Sequence, residues 1–98
     1  MSNDVDFDPP PFRYWRDGAG RIVVTGEVDM ASAVALRPVL LASSDPIDLD
    51  LTGVTFMDSA GVRVLMMARE VRRVHVAAAS TTVWRVLDLL GLRDLLSG

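Results

Sequence analysis

The chain has 98 residues, half of them apolar. That suffices for one compact domain burying roughly 60–65% of the surface its unfolded form exposes. There is no cysteine, which excludes disulfides and thiolate metal sites, and the net charge of −3 offers no electrostatic basis for binding nucleic acid. All ten basic residues are arginine. Without lysine there is no Walker-type phosphate loop, no Schiff-base chemistry and no receiver-type phosphoaspartate site, and a single His75 leaves no histidine metal cluster. No apolar run approaches the ~20 residues of a membrane span. The acidic start, MSNDVDFDPPPF, is unlike a basic secretory signal. The expectation is a cytoplasmic protein that is not an enzyme and carries no cofactor.

Residues 1–11, acidic and ending in Pro9-Pro10-Pro11, are expected to form a flexible N-terminal arm, and 12–98 a single domain. Phe12–Arg16 and Ile22–Thr25 flank the turn signal Asp17-Gly18-Ala19-Gly20 and predict a hairpin. Asp29, after Gly26-Glu27-Val28, is positioned to cap a helix from Ala31 to about Ala42. Pro38 inside that helix removes a backbone donor at a cost of about 3 kcal/mol and predicts a bend or an early end. After the loop Ser43-Ser44-Asp45-Pro46, Ile47–Leu51 alternates apolar and acidic residues like a strand with one buried face. Thr52-Gly53 predicts a turn into Val54-Thr55-Phe56-Met57. A second helix is predicted from Asp58-Ser59 to about Val71, then a short strand Val74–Ala79. A third helix, capped by Ser80 or Thr81, runs through Leu90, with Gly91 as its left-handed stop. Strands alternating with helices in this order predict an α/β domain with a mixed β-sheet.

Turning the second helix at ~100° per residue places Ser59, Arg63, Met66 and Glu70 on one face, flanked by Val62, Arg69 and Arg73. Ala60, Gly61, Val64, Met67, Ala68 and Val71 form the opposite face, with Leu65 at its border, and this is the face expected to pack on a sheet. Gly61 allows close approach there. Ser59 then faces solvent, with Val62 and Met66 as exposed apolar neighbours. On local grounds Ser59 is a capping residue contributing about 1 kcal/mol. Asp58 competes for that role, and if it caps, the Ser59 hydroxyl is left free; the Asp-Ser pair alone leaves both open. Met57 and Met67 read as core. Asp48 and Asp50 read as solvated strand residues, and Arg69, Arg72 and Arg73 as a solvated helix end favoured by the dipole. His75 faces away from Val74 and Val76 and is given no function. A hydrolase pairing Ser59 with His75 is disfavoured, because a helix of about 13 residues spans roughly 20 Å and no Gly-x-Ser-x-Gly elbow is present.

The segment DLTGVTFMDSAGVRVLM, residues 50–66, resembles the signature of STAS domains, and specifically of bacterial anti-sigma factor antagonists. VTGEVD, residues 24–29, is similar to that family's strand-to-helix junction, and TTVWRVLDLLGL, residues 81–92, to its third helix and exit. The resemblance covers nearly all of residues 21–92 in order. It implies a STAS-type mixed β-sheet with helices packed mainly on one face, and a partner-switching phosphoprotein that regulates transcription. The family's serine, here Ser59, is phosphorylated by a cognate anti-sigma factor of serine-kinase type. The unmodified antagonist binds that kinase and frees a sigma factor, and a serine phosphatase resets the modified form. Glu27, Asp29 and Met30 would lie near Ser59. With Met57, Asp58, Ser59, Gly61, Val62, Arg63 and Met66 they make up the expected partner-binding set. A constitutive STAS adaptor subunit of a lipid- or anion-transport assembly is the alternative that the same motif allows.

Overall fold

The computed structural model describes residues 11–97. A hairpin of β1 (Arg13–Arg16) and β2 (Ile22–Val28) leads into α1 (Met30–Leu41), β3 (Ile47–Met57), α2 (Ser59–Val71), β4 (Val74–Ala79), α3 (Thr81–Leu89) and the short α4 (Asp94–Ser97). The acidic arm lies, except for Pro11, outside the described residues. The hairpin turn closes on Asp17, whose carboxylate accepts the N–H groups of Ala19 and Arg21, both at 2.9 Å, an Asx-type local bond. All four strands form one sheet in the order β1-β2-β3-β4, antiparallel between the first pair and parallel thereafter. Crossovers between parallel neighbours are right-handed in nearly all sheets. Because the sheet grows in one direction from β2 to β4, both crossover helices, α1 and α2, fall on the same face. Burial agrees: Ile22, Val24 and Val28 of β2 and Ile47, Leu49 and Leu51 of β3 are buried, and Val23, Thr25, Asp48 and Asp50 between them are half-buried. Leu36 and Leu40 of α1, Leu65 and Ala68 of α2, and Val83 and Leu87 of α3 complete the core. Each large side chain so buried contributes about 1.5–3 kcal/mol relative to exposure.

Thr52-Gly53 does not turn the chain, and β3 is one strand of 11 residues. Asp50 accepts the Thr52 N–H at 2.9 Å, a local bond of the kind that also occurs in turns. Here it produces a bulge instead. Val23 and Thr25 of β2 face Asp50 and Gly53 of β3, so β3 gains one residue over its partner at that point. A second shift, between Gly26 and Glu27, adds another before the strand reaches Met57.

Pro38 does not end α1 either. The helix continues to Leu41, and the Ala42 N–H donates to the Pro38 carbonyl at 3.0 Å. Pro38 and Val34, whose carbonyl lacks its usual donor, are both exposed, so water can satisfy that carbonyl, and Leu40 beyond them is fully buried. The helix therefore persists at a cost. Pro38→Ala is expected to raise the unfolding free energy by about 2 kcal/mol, from ~3 for the restored bond and relieved clash less up to ~1 for the freer unfolded chain. Urea unfolding measures this; an unchanged or lower midpoint would contradict it.

Of the arginines at the end of α2, Arg69 and Arg73 are exposed as expected, and all three also serve as ties. Arg72 donates to the carbonyls of Leu41 and Ser43 at 3.2 and 3.3 Å, capping the C-terminus of α1 from a neighbouring helix. Arg73 donates to Asp45 through its backbone and side chain, and Arg69 pairs with Asp94. On the other face of the sheet Asp48 accepts from Arg21 at 3.3 Å and contacts His75 Nδ1 at 3.1 Å.

Candidate functional site

The end of the domain where β2 and β3 finish and α1 and α2 begin is organised by two aspartates. Asp29 caps α1: its carboxylate accepts the Ser32 N–H at 3.0 Å and contacts the Ser32 hydroxyl at 2.9 Å. These two bonds, the backbone one foremost, hold the Asp29 carboxyl below its ordinary value of 3.8. A lowered folded-state value means that the cap's contribution is present above the ordinary value and is lost as pH falls through the lowered one. Asp29→Ala is therefore expected to destabilise the chain at neutral pH, and the gap to the unsubstituted protein should narrow below pH 3.8. Thermal unfolding at pH 7 and pH 3 checks this; a gap of the same size at both would refute it.

Asp58 caps α2 in the same manner, accepting the N–H groups of Ala60 and Gly61 at 2.9 and 3.2 Å. Its own N–H donates to the Val28 carbonyl at 3.3 Å and ties the helix start to the end of β2. Asp58 thus takes the capping role, and Ser59 becomes the first helical residue. Ser59 is exposed, and its hydroxyl has no hydrogen-bond partner among the described residues. A free hydroxyl at a helix N-terminus suits an added anion, because the backbone N–H groups and the helix dipole both favour negative charge there. Register places Glu27 beside Phe56 and Val28 beside Met57, so the β2–α1 junction and the start of α2 share one rim. Gly26 makes this junction possible. Its φ is +91°, and a Cβ there would lie 2.4 Å from the Pro11 carbonyl oxygen.

Of the ten residues expected to meet a partner, Met30 is 72% exposed, and Ser59, Arg63 and Met66 are exposed, while Glu27, Asp29 and Asp58 are half-buried at the rim. Met57, Gly61 and Val62 are buried beneath them. The expectation that Val62 lies on the exposed side is thus corrected. A Cβ on Gly61 would come within 2.7 Å of Met57 Cγ and 3.0 Å of Val28 Cγ1, so the first turn of α2 sits close on the sheet and Val62 sinks into the core with Leu65. Val71, assigned to the packed face, is half exposed at the last turn. Sequence reasoning missed the surface that α1 contributes beside Ser59, including Val34 and Arg37. Its spacing from Met30 is readable in the sequence, but helical periodicity assigns Ala60, Val64 and Met67 of α2, which face it beside Arg63, to sheet packing.

No hydrolytic pair forms at Ser59. His75 is the only histidine and stands beside Asp48, nine strand residues before Met57, or about 30 Å at 3.3 Å per residue. Among the described residues no group of three or more histidine or acidic side chains could hold a metal ion, and no helix is long and apolar enough to cross a membrane.

Comparison with known proteins accords with this architecture. No curated protein matches the chain. Among solved structures it is similar to an anti-sigma factor antagonist from Mycobacterium paratuberculosis, with 27% identity over 86% of this chain and 80% of that one and a TM-score of 0.67. The family model described as "Mlab, STAS domain" matches residues 13–97. With nearly the whole described chain matched, this protein belongs to the STAS domain family.

Proposed function

We propose that the chain is an anti-sigma factor antagonist. While Ser59 is unmodified it binds a cognate anti-sigma factor of serine-kinase type; it is released when that kinase phosphorylates Ser59, and a serine phosphatase restores the binding form. The observation that carries this reading is the exposed, unpartnered hydroxyl of Ser59 beside an Asp58 that has already taken the cap. The solved antagonist at 27% identity supports the same role. Phosphate would add about −1.5 to −2 charges at the helix N-terminus, where the fold tolerates it and a docked partner does not.

The test is retention of a partner by the unsubstituted chain, Ser59→Ala and Ser59→Asp, followed by incubation with ATP. The unsubstituted chain and the alanine variant are expected to retain a kinase-type anti-sigma factor, and the aspartate variant to lose it. That factor should place a single phosphate on Ser59. Phosphate on another residue, or retention of a transport component indifferent to all three side chains, would replace the switch with a constitutive adaptor.

A further inference from the structure

α1 and α2 run side by side, and a groove of about 370 Å³ lies between them. One wall is Met30, Ala33, Val34 and Arg37 of α1; the other is Ala60, Arg63, Val64 and Met67 of α2. Both stripes follow the spacing i, i+3, i+4, i+7, the face that one helix presents to another. Two such stripes, side by side for two turns or about 10 Å, are two sides of a three-helix contact with the third side open. Met30 and Val34 leave it strongly apolar at the rim, 72% and 70% exposed. Among the described residues the only charged ones lining it are the two arginines, one on each wall, in a chain that is acidic overall. Neither has an ion pair or hydrogen bond among the described residues, whereas Arg21, Arg69, Arg73 and Arg93 each meet an aspartate.

We propose that this groove receives an amphipathic helix of the partner protein with carboxylates on both flanks of its apolar stripe, held by Arg37 on one wall and Arg63 on the other. Helix-in-groove recognition uses apolar anchors of this spacing, and flanking charges set the choice of partner. The inference rests on the partner-binding reading above and deepens it. Arg63 lies four residues beyond Ser59 on the same helix face, so a phosphate on Ser59 competes with the partner's carboxylate for its guanidinium.

The experiment uses the full ¹⁵N-labelled chain and two synthetic peptides of about 14 residues, roughly four helical turns. Both carry one leucine stripe, flanked by glutamate in one and lysine in the other. At low salt the glutamate peptide is expected to bind about tenfold more tightly and to move the amides of Ala33, Val34, Ala60 and Val64. Arg37→Glu combined with Arg63→Glu should reverse that preference while leaving the melting temperature unchanged. Equal binding of both peptides, or shifts confined to another face, overturns the proposal. So does movement of the groove amides without peptide when Asp4, Asp6 and Asp8 are each changed to Asn, which would identify the chain's own acidic start as the occupant. Neither peptide needs a modified serine. A charge-blind groove in a chain phosphorylated on Ser59 sinks only this inference, and an acid-selective groove in a chain never phosphorylated sinks only the switch.

Discussion

Phosphorylation of Ser59 is expected to leave the stability of the domain within about 0.5 kcal/mol of the unmodified value and to weaken the anti-sigma factor complex roughly thirtyfold to several thousandfold. The two effects separate because the same charge meets two environments. In the free domain the phosphate stands in water at the first turn of α2. There it is favoured by the dipole and by Arg63, opposed by the neighbouring Asp58, and screened at physiological salt beyond about 8 Å. Asp58 already occupies the N–H groups of Ala60 and Gly61, so the phosphate displaces no cap. In the proposed complex the group would be pressed against a partner and desolvated, and an unpaired charge buried in that way costs about 2–5 kcal/mol. Calorimetric titration of the phosphorylated and unmodified chains, with a thermal melt of each, reads both numbers. A phosphorylated chain that melts many degrees lower would mean that modification acts by unfolding α2, and the account by local charge would fail.

What could be read in the sequence was mostly what acts over a few residues. Asp29, Asp58 and Ser80 cap their helices through side-chain bonds to N–H groups two or three positions on, and Gly91 ends the third helix region with a φ of +71°. The solvent face of α2 followed from its own periodicity except at Val62 and Val71, which is why Ser59 could be placed in water. What escaped depended on distant segments. Thr52-Gly53 has turn chemistry, and only its pairing with β2 makes it a bulge. Arg72 serves the carbonyl of Leu41, 31 positions away, and no local pattern signals that. Pro38 breaks no helix because Leu40 beyond it is held in the core. The groove beside Ser59 could be assembled only once α1 was known to lie alongside α2. That follows from the crossover geometry of the sheet and not from either helix alone.

Gly61→Ala is expected to lower the unfolding free energy by about 1–2 kcal/mol, although helix propensity alone predicts a gain of up to ~1 kcal/mol. Propensity loses because the site has no room. A Cβ would approach Met57 Cγ to 2.7 Å, Val28 Cγ1 to 3.0 Å and the Val28 carbonyl oxygen to 3.1 Å. Met57 could yield, but its Cγ lies near the backbone rather than at the free end of the side chain, and both it and Val28 are core residues. The Val28 oxygen is backbone, and it already accepts the Asp58 N–H at 3.3 Å. Relief therefore requires the first turn of α2 to lift off the sheet, and that turn carries Ser59. Overpacking of this kind typically costs about 1–3 kcal/mol, which outweighs the propensity gain. Gly61→Val, with two further carbons and a stiffer side chain, should exceed the alanine cost by at least about 1 kcal/mol. The backbone amides of Asp58, Ser59 and Ala60 should shift with it in an NMR spectrum. Urea unfolding of both variants decides the matter: if alanine stabilises the chain, the close seat of α2 on β2 is not what buries Val62 and holds Ser59 at the rim.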